Sequence, residues 1–198
     1  VLSTLRAMQQ LGVSVEDDLD KNVIIVKGIG TCGFKSPDKP LDLGNSGTGV
    51  RLIMGALAGQ PLTASLTGDA SLSARPMKRI TDPLRQMGAQ IAYLPQNEEK
   101  GLLPVTITGA NPALPLSYAT QVASAQIKSA IMLAGLNARG VTIITEPCIS
   151  RDHTESMLRH FGVEVEQQIL ADGRHQVTLL GEVDLKAKNI LVPRDPSS

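Results

Sequence analysis

LRQMGA at Leu84–Ala89 returns as LRHFGV at Leu158–Val163, and in looser form as MQQLGV at Met8–Val13. Each stretch reads as a helix end running into glycine, the residue that closes a helix most readily because it adopts a left-handed backbone without penalty. The three glycines, Gly12, Gly88 and Gly162, stand 76 and 74 residues apart. A strand with a terminal glycine follows each one: VIIVKG ending at Gly28, VTITG ending at Gly109 and VTLLG ending at Gly181. All three are β-branched and aliphatic, in the manner of a half-buried sheet. The period is too long for a solenoid repeat, so the recurring unit is a larger α/β element.

Working outward from the second copy completes the unit. LDLG at Leu41–Gly44 is a short strand, and Ser46–Ala58 places Val50, Ile53, Met54 and Leu57 on one helical face. Pro61–Gly68 is the next strand. Arg75-Pro76 then opens a helix whose stripe is Met77, Ile80, Leu84 and Met87, with proline in the tolerated first turn. Two antiparallel strands close the unit. The third copy repeats the order: strand near Pro115–Tyr118, helix Ser124–Leu136 with Ile127, Ile131 and Ala134 inward, strand VTIITEP, helix from Asp152, then two strands. The fold class is therefore α/β (α+β), built from βαβαββ units. Residues 1–30 supply the last αββ of a first unit, 41–110 the second and 113–182 the third, while 185–198, with its strand-like NILV, reads as a polar crossover at a domain boundary. The chain opens at Val1 inside a helix with Leu2, Leu5 and Met8 on its buried face, so a fragment lacking the first strand, helix and strand of its first unit is expected.

Composition narrows the function. With 19 Lys plus Arg against 19 Asp plus Glu in 198 residues, no basic surplus exists to neutralise a nucleic-acid backbone. Phe34, Tyr93, Tyr118 and Phe161 are too few for a base-stacking platform. Cys32 and Cys148 lack CxxC spacing or a histidine cluster, so neither a disulfide framework nor a metal site is expected, and a reducing, cytoplasmic setting fits. Cys148 reads as strand-end packing, and Cys32 as a loop thiol near Lys27 and Lys35. The longest apolar run, Ala130–Leu136, is far short of a membrane span, and no secretory signal is present.

Chemistry concentrates at strand-to-helix turns. LDLGNSGTGVRL at Leu41–Leu52 sets small and polar residues where free N–H groups and the helix dipole favour an anion. The same turn is equally read as a helix cap with close backbone packing. It is not a Walker A sequence. Arg51 lies within the helix and reads as locally paired. Arg75, one residue before the helix-opening proline, is a candidate for bidentate contact with carboxylate or phosphate, or else a solvated surface residue. Ser124 and Gln126 bring hydroxyl and amide groups to a third helix start, where Ser124 also serves as a cap. In SRDHTESM at Ser150–Met157, capping accounts for Asp152 and Glu155. Ser150, Asp152 and His153 are too close in sequence to form a nucleophile, base and orienter with one another.

The strings LDLGNSGTGVRL, GDASLSARPM, ASAQIKSAIMLAGL and SRDHTESMLRHFG, in this order and spacing, resemble the 5-enolpyruvylshikimate-3-phosphate synthase family across essentially the whole chain. RDHTE with AQIKSA looks more like the bacterial class that includes glyphosate-tolerant enzymes than the enteric or plant class. The related UDP-N-acetylglucosamine enolpyruvyl transferases share the fold without these strings. The resemblance implies that residues 1–198 are a single truncated N-terminal lobe of an inside-out α/β barrel. It also implies a shikimate-pathway transferase moving the enolpyruvyl group of phosphoenolpyruvate to the 5-hydroxyl of shikimate 3-phosphate, with release of phosphate and no metal or organic cofactor. Ser124, Ala125 and Gln126 match shikimate 3-phosphate contacts, and Arg151 with Ser150 would hold its phosphate. Asn45, Gly47, Arg75 and Gln126 match the phosphoenolpyruvate and glyphosate site.

Two departures from the family pattern bear on the site. Position 125 is alanine where the enteric type has serine, leaving only its backbone to donate. Position 47 is glycine where tolerant enzymes carry an alanine that crowds glyphosate, so tolerance through this position is not expected. The family's early Lys-Ser pair, the following Arg and its catalytic Asp, Glu and Lys have no counterpart here. The resemblance therefore implies a partner C-terminal lobe, no catalytic residue within this chain, and no turnover by the chain alone.

Overall fold

The computed structural model describes residues 2–18 and 23–191. The chain runs α1 (Leu2–Gln10), β1 (Ser14–Asp18), β2 (Val23–Lys27), β3 (Leu41–Asp42), α2 (Gly47–Ala58), β4 (Thr63–Thr67), α3 (Ala70–Ser73), α4 (Lys78–Gln86) and β5 (Gln90–Tyr93). It continues through α5 (Pro95–Glu98), β6 (Val105–Thr108), β7 (Ser117–Ala119), α6 (Ala125–Gly135), β8 (Val141–Glu146), α7 (His153–His160), β9 (Val165–Ile169) and β10 (His175–Leu180).

The two complete units share one topology. Their sheets have orders β3-β4-β6-β5 and β7-β8-β10-β9. In each the first pair is parallel and the other two are antiparallel. Ribbon β1-β2 is antiparallel and matches the closing pair of a unit. The glycine-ended helices share a backbone solution as well: Gly12, Gly88 and Gly162 have φ of +94°, +97° and +89°. In each, the glycine N–H donates three residues back and the next N–H donates five back, as Val13 to Met8, Ala89 to Leu84 and Val163 to Leu158. This paired closure of the last turn needs the left-handed residue that glycine provides.

The helical faces fall as the periodicity requires. Val50, Ile53, Met54 and Leu57 of α2 are buried, as are Ile80 and Leu84 of α4 with its flanking caps Met77 and Met87, so that Pro76 precedes the helix instead of occupying its first turn. One continuous apolar cluster joins both units. Helices α2 and α6 lie side by side and parallel. A methyl on Gly55 would sit 2.3 Å from the Ala130 carbonyl oxygen, and one on Gly59 would sit 3.0 Å from that of Ala134. At the other end, Gln126 bonds Thr48 across the pair. The two helix N-termini are thereby brought together, and α4 packs against both.

Several expectations change. The α1 face is set by Ala7 and Leu11, with Leu5 and Met8 only partly covered and Leu2 62% exposed. Strand β2 lacks the in–out alternation of a half-buried strand. Val23, Ile24, Ile25 and Val26 are 43–53% exposed, since the ribbon pairs only with itself among the described residues. Cys148 is exposed in the turn after β8 rather than packed. Cys32 is exposed too, with its thiol donating to Asn137 Oδ1, and Lys27 pairs with Glu16 instead. The crossover at 185–198 has no strand over residues 185–191, and 192–198, including the end of NILV, lie outside the described residues. Helices α3 and α5 went unanticipated. No helix among the described residues is long and apolar enough to cross a membrane.

Candidate functional site

Three helix starts and one turn meet at one edge of the lobe. Ser46 caps α2 by accepting the Gly49 N–H at 3.1 Å, and Ser124 caps α6 by accepting that of Ile127 at 3.5 Å. Capping and anion binding are compatible here, because a cap satisfies one first-turn N–H and leaves others, such as those of Ala125 and Gln126, without intrahelical acceptors. Asp69 caps α3 through Leu72 N–H and also accepts from the Asn45 amide at 2.9 Å. Those hydrogen bonds hold its carboxyl below the usual aspartate range. Asn45 in turn accepts from Arg75 Nη2 at 3.1 Å, so the glycine turn and the Arg75 turn are one hydrogen-bonded unit.

Gln126 sits at the centre. Its amide donates to Thr48 Oγ1 at 2.8 Å and its carbonyl accepts from Arg51 Nη1 at 2.5 Å. Arg51, read from sequence as locally paired, therefore reaches across to α6. A cavity of about 340 Å³ is lined by Arg51, Arg79, Ser124 and Gln126 over Pro76, Ile80 and Ile127. A second, of about 180 Å³, shares Gln126 as a wall and adds Thr48, Ala125, Ser129, Arg151 and His153. Burial, then the charges of Arg75 and Arg79, lower the pKa of the Arg51 guanidinium. None of these three arginines has an ion-pair partner among the described residues. Uncompensated guanidiniums beside helix N-termini form a site for an anion.

Beneath this surface lies a buried charge cluster. Lys128 Nζ is 2.9 Å from Glu146 Oε2 and 2.7 Å from Glu155 Oε1, with all three side chains fully buried. Glu155 is thus a core ion-pair partner rather than a cap, and Asp152 makes no side-chain cap bond to α7. Glu146 also accepts the Ser124 N–H and the Ser150 hydroxyl, each at 2.9 Å. Burial alone pushes the Glu146 carboxyl up. Hydrogen bonds from Lys128, Ser124 and Ser150, with the Lys128 charge, outweigh it and hold the group below the ordinary value of 4.5.

The sign of the pH effect follows. As pH falls the unfolded chain takes up this proton first, so the stability that ionised Glu146 contributes is complete above about pH 5 and is lost on descent toward the folded-state value. Urea unfolding midpoints of the wild-type chain should drop through that acid window, with a shallower drop in Glu146→Gln; parallel profiles would contradict this assignment.

The structure brings Asn45, Gly47, Arg75, Ser124, Ala125 and Gln126 to this edge, with Ser150 and Arg151 on the next turn. Gly47 is buried, and a methyl there would lie 2.9 Å from Arg75 Nη1. Arg51, Arg79 and Lys128 were missed by sequence reasoning. For Lys128 a signal existed: apart from Gln126 at its start, α6 is apolar or small, and Lys128 falls on the side away from Gln126, among Ile127, Ile131 and Met132.

The sequence profile of EPSP synthase (3-phosphoshikimate 1-carboxyvinyltransferase) matches residues 1–198. A Nitrobacter hamburgensis protein named 3-phosphoshikimate 1-carboxyvinyltransferase is 51% identical over 203 residues, covering 100% of this chain and 44% of its own length. One of the same name from Parvibaculum lavamentivorans is 52% identical over 198 residues, covering 100% and 43%. The solved EPSP synthase of Acinetobacter baumannii superposes with a TM-score of 0.86 at 46% identity, over 97% of this chain and 41% of that one. The chain thus spans less than half the length of the relatives it matches. Full-length agreement with the family profile, identities near one half and the shared fold place this chain in the EPSP synthase family.

Proposed function

We propose that this chain forms one lobe of a 3-phosphoshikimate 1-carboxyvinyltransferase and provides half of the cleft in which phosphoenolpyruvate and shikimate 3-phosphate react. The observation that carries the reading is the convergence of Arg51, Arg75 and Arg79 with the α2 and α6 N-termini around Gln126, without a carboxylate partner for any of the three among the described residues. Both substrates are anions, and such a surface is prepared for them before they arrive. Ser124, Ala125 and Gln126, with Ser150 and Arg151, take shikimate 3-phosphate. Asn45, Gly47, Arg75 and Gln126 take phosphoenolpyruvate or the inhibitor glyphosate, and Gln126 sits between the two. These residues bind and orient; proton transfer belongs to groups outside this site, so the chain alone binds substrate without turnover.

The test is a titration of isotopically labelled chain with shikimate 3-phosphate, following backbone amides, with a UDP-sugar as control. Saturable shifts confined to Asn45–Thr48, Ser124–Gln126 and Ser150–Asp152 are expected. A folded chain that shikimate 3-phosphate leaves unperturbed, or one that responds only to the UDP-sugar, overturns the reading.

Gly47→Ala tests the phosphoenolpyruvate side. The added methyl meets the far end of Arg75 at 2.9 Å, a flexible contact, so unfolding free energy should move by less than about 0.5 kcal/mol. Glyphosate affinity should fall by about tenfold, the equivalent of about 1.4 kcal/mol, while phosphoenolpyruvate affinity falls less. Equal losses for both ligands in calorimetric titrations would remove Gly47 from the discriminating role.

A further inference from the structure

The two turns assigned to shikimate 3-phosphate come from different elements, and one buried carboxylate holds both. Ser124 precedes α6, and Ser150 lies in the turn between β8 and α7. Glu146, the last residue of β8, accepts the Ser124 backbone N–H with Oε1 at 2.9 Å and reaches the Ser150 hydroxyl with both oxygens at 2.9 Å. Its Oε2 also pairs with Lys128, which rises from the end of the first turn of α6 and takes Glu155 of α7 as its other partner. Ser129 and Thr154 add a buried hydroxyl pair at 2.6 Å between the same two helices. The Ser150 hydroxyl proton is spent on Glu146, which turns that residue inward and leaves Arg151, exposed beside it, as the outward cation.

We propose that Glu146 is a positioning residue that fixes the spacing between the Ser124–Gln126 amides and Arg151, and so the fit of the site to a phosphorylated sugar-like ligand. This rests on the reading of the two turns given above. The physical case is that first-turn amides and a guanidinium bind an anion cooperatively only when their separation is held in advance, since each ordering step on binding detracts from affinity. A fully buried carboxylate with hydrogen bonds to both turns and an ammonium against it cannot reorient without leaving charge unpaired. Nothing else among the described residues bonds directly to both turns.

The experiment uses Glu146→Gln, with Ile144→Val, in the same strand and core, as a control for loss of packing alone. In the ligand-free chain, hydrogen exchange at the Ser124 amide should accelerate by about tenfold or more, as for a lost charge-assisted hydrogen bond, and amide shifts should appear at both 124–126 and 150–152. Shikimate 3-phosphate affinity should weaken by about tenfold as well, while Ile144→Val leaves both readouts near wild type. A folded Glu146→Gln chain with Ser124 still protected and 150–152 unmoved, or with affinity within about twofold of wild type, overturns the proposal. Should Glu146→Gln fail to fold, Ser150→Ala stands in: shifts carried to Ser124–Gln126 in the free chain support the strut, and their absence removes it. A wild-type chain that ignores shikimate 3-phosphate refutes the substrate reading, and the ligand-free exchange still decides the strut.

Discussion

Lys128→Met lowers the unfolding free energy by about 3–5 kcal/mol, read as a fall in the urea midpoint at pH 7. Methionine preserves the length of the stem, so packing is nearly kept and the loss is electrostatic. Without the ammonium, Glu146 and Glu155 are left facing one another in a space that solvent does not reach, each having been within 2.9 Å of the same nitrogen. Leaving one member of a buried pair unpartnered costs far more than the pair itself contributes. Two comparisons isolate the mechanism. Arg139→Ala deletes an ion pair whose side chains are 71% and 54% exposed, and should change stability by less than about 0.5 kcal/mol. The triple variant Lys128→Met, Glu146→Gln, Glu155→Gln removes the lysine and both carboxylates together and should recover much of the single variant's loss. A Lys128→Met chain within about 1 kcal/mol of wild type would mean that water or rearrangement already compensates these carboxylates.

What could be read from the sequence divides along physical lines. The strand-to-helix turns were legible because their chemistry is local: a small residue, a cap and a glycine within a few positions determine a backbone shape. Ser46 and Ser124 cap their helices, one of the two readings open at each turn, and Gly12, Gly88 and Gly162 close their helices with one shared pattern. The faces of α2 and α4 followed from spacing alone, because a three- to four-residue period selects one side of a helix. Partners distant in sequence were not legible. Arg51 looks local until α6 brings Gln126, 75 residues on, to within 2.5 Å. Glu155 has the spacing of a cap, and only the packing of α7 against α6 makes it a core ion-pair partner. Strand β2 failed for a related reason: VIIVK states that a strand is apolar but not whether anything covers it.

The site depends on a contact that no motif advertises. Gly55 lies mid-helix in α2, where alanine would ordinarily be preferred by up to about 1 kcal/mol. Here a methyl would fall 2.3 Å from the carbonyl oxygen and 2.6 Å from the Cα of Ala130 in α6. The obstacle is the backbone of a buried helix, not the end of a flexible side chain, so one helix must move. Overpacking of this kind costs about 1–3 kcal/mol, and Gly55→Ala should be destabilising by about that much despite the gain in helix propensity. Separation of the helices would also be felt one to two turns away, where Gln126 spans to Thr48 at 2.8 Å and to Arg51 at 2.5 Å. Amide shifts at Thr48, Arg51 and Gln126, together with weaker shikimate 3-phosphate binding, are expected along with the lower urea midpoint. Gly59→Ala provides the contrast, because its methyl meets Ala134 at 3.0 Å at the end of α2, where the chain can yield. It should cost less and leave Gln126 undisturbed. If Gly55→Ala melts like wild type with shifts confined to its own neighbours, the spacing of α2 and α6 is not set at this crossing. If both effects appear, a single missing methyl in the core determines whether the Gln126 bridge over the anion site can close.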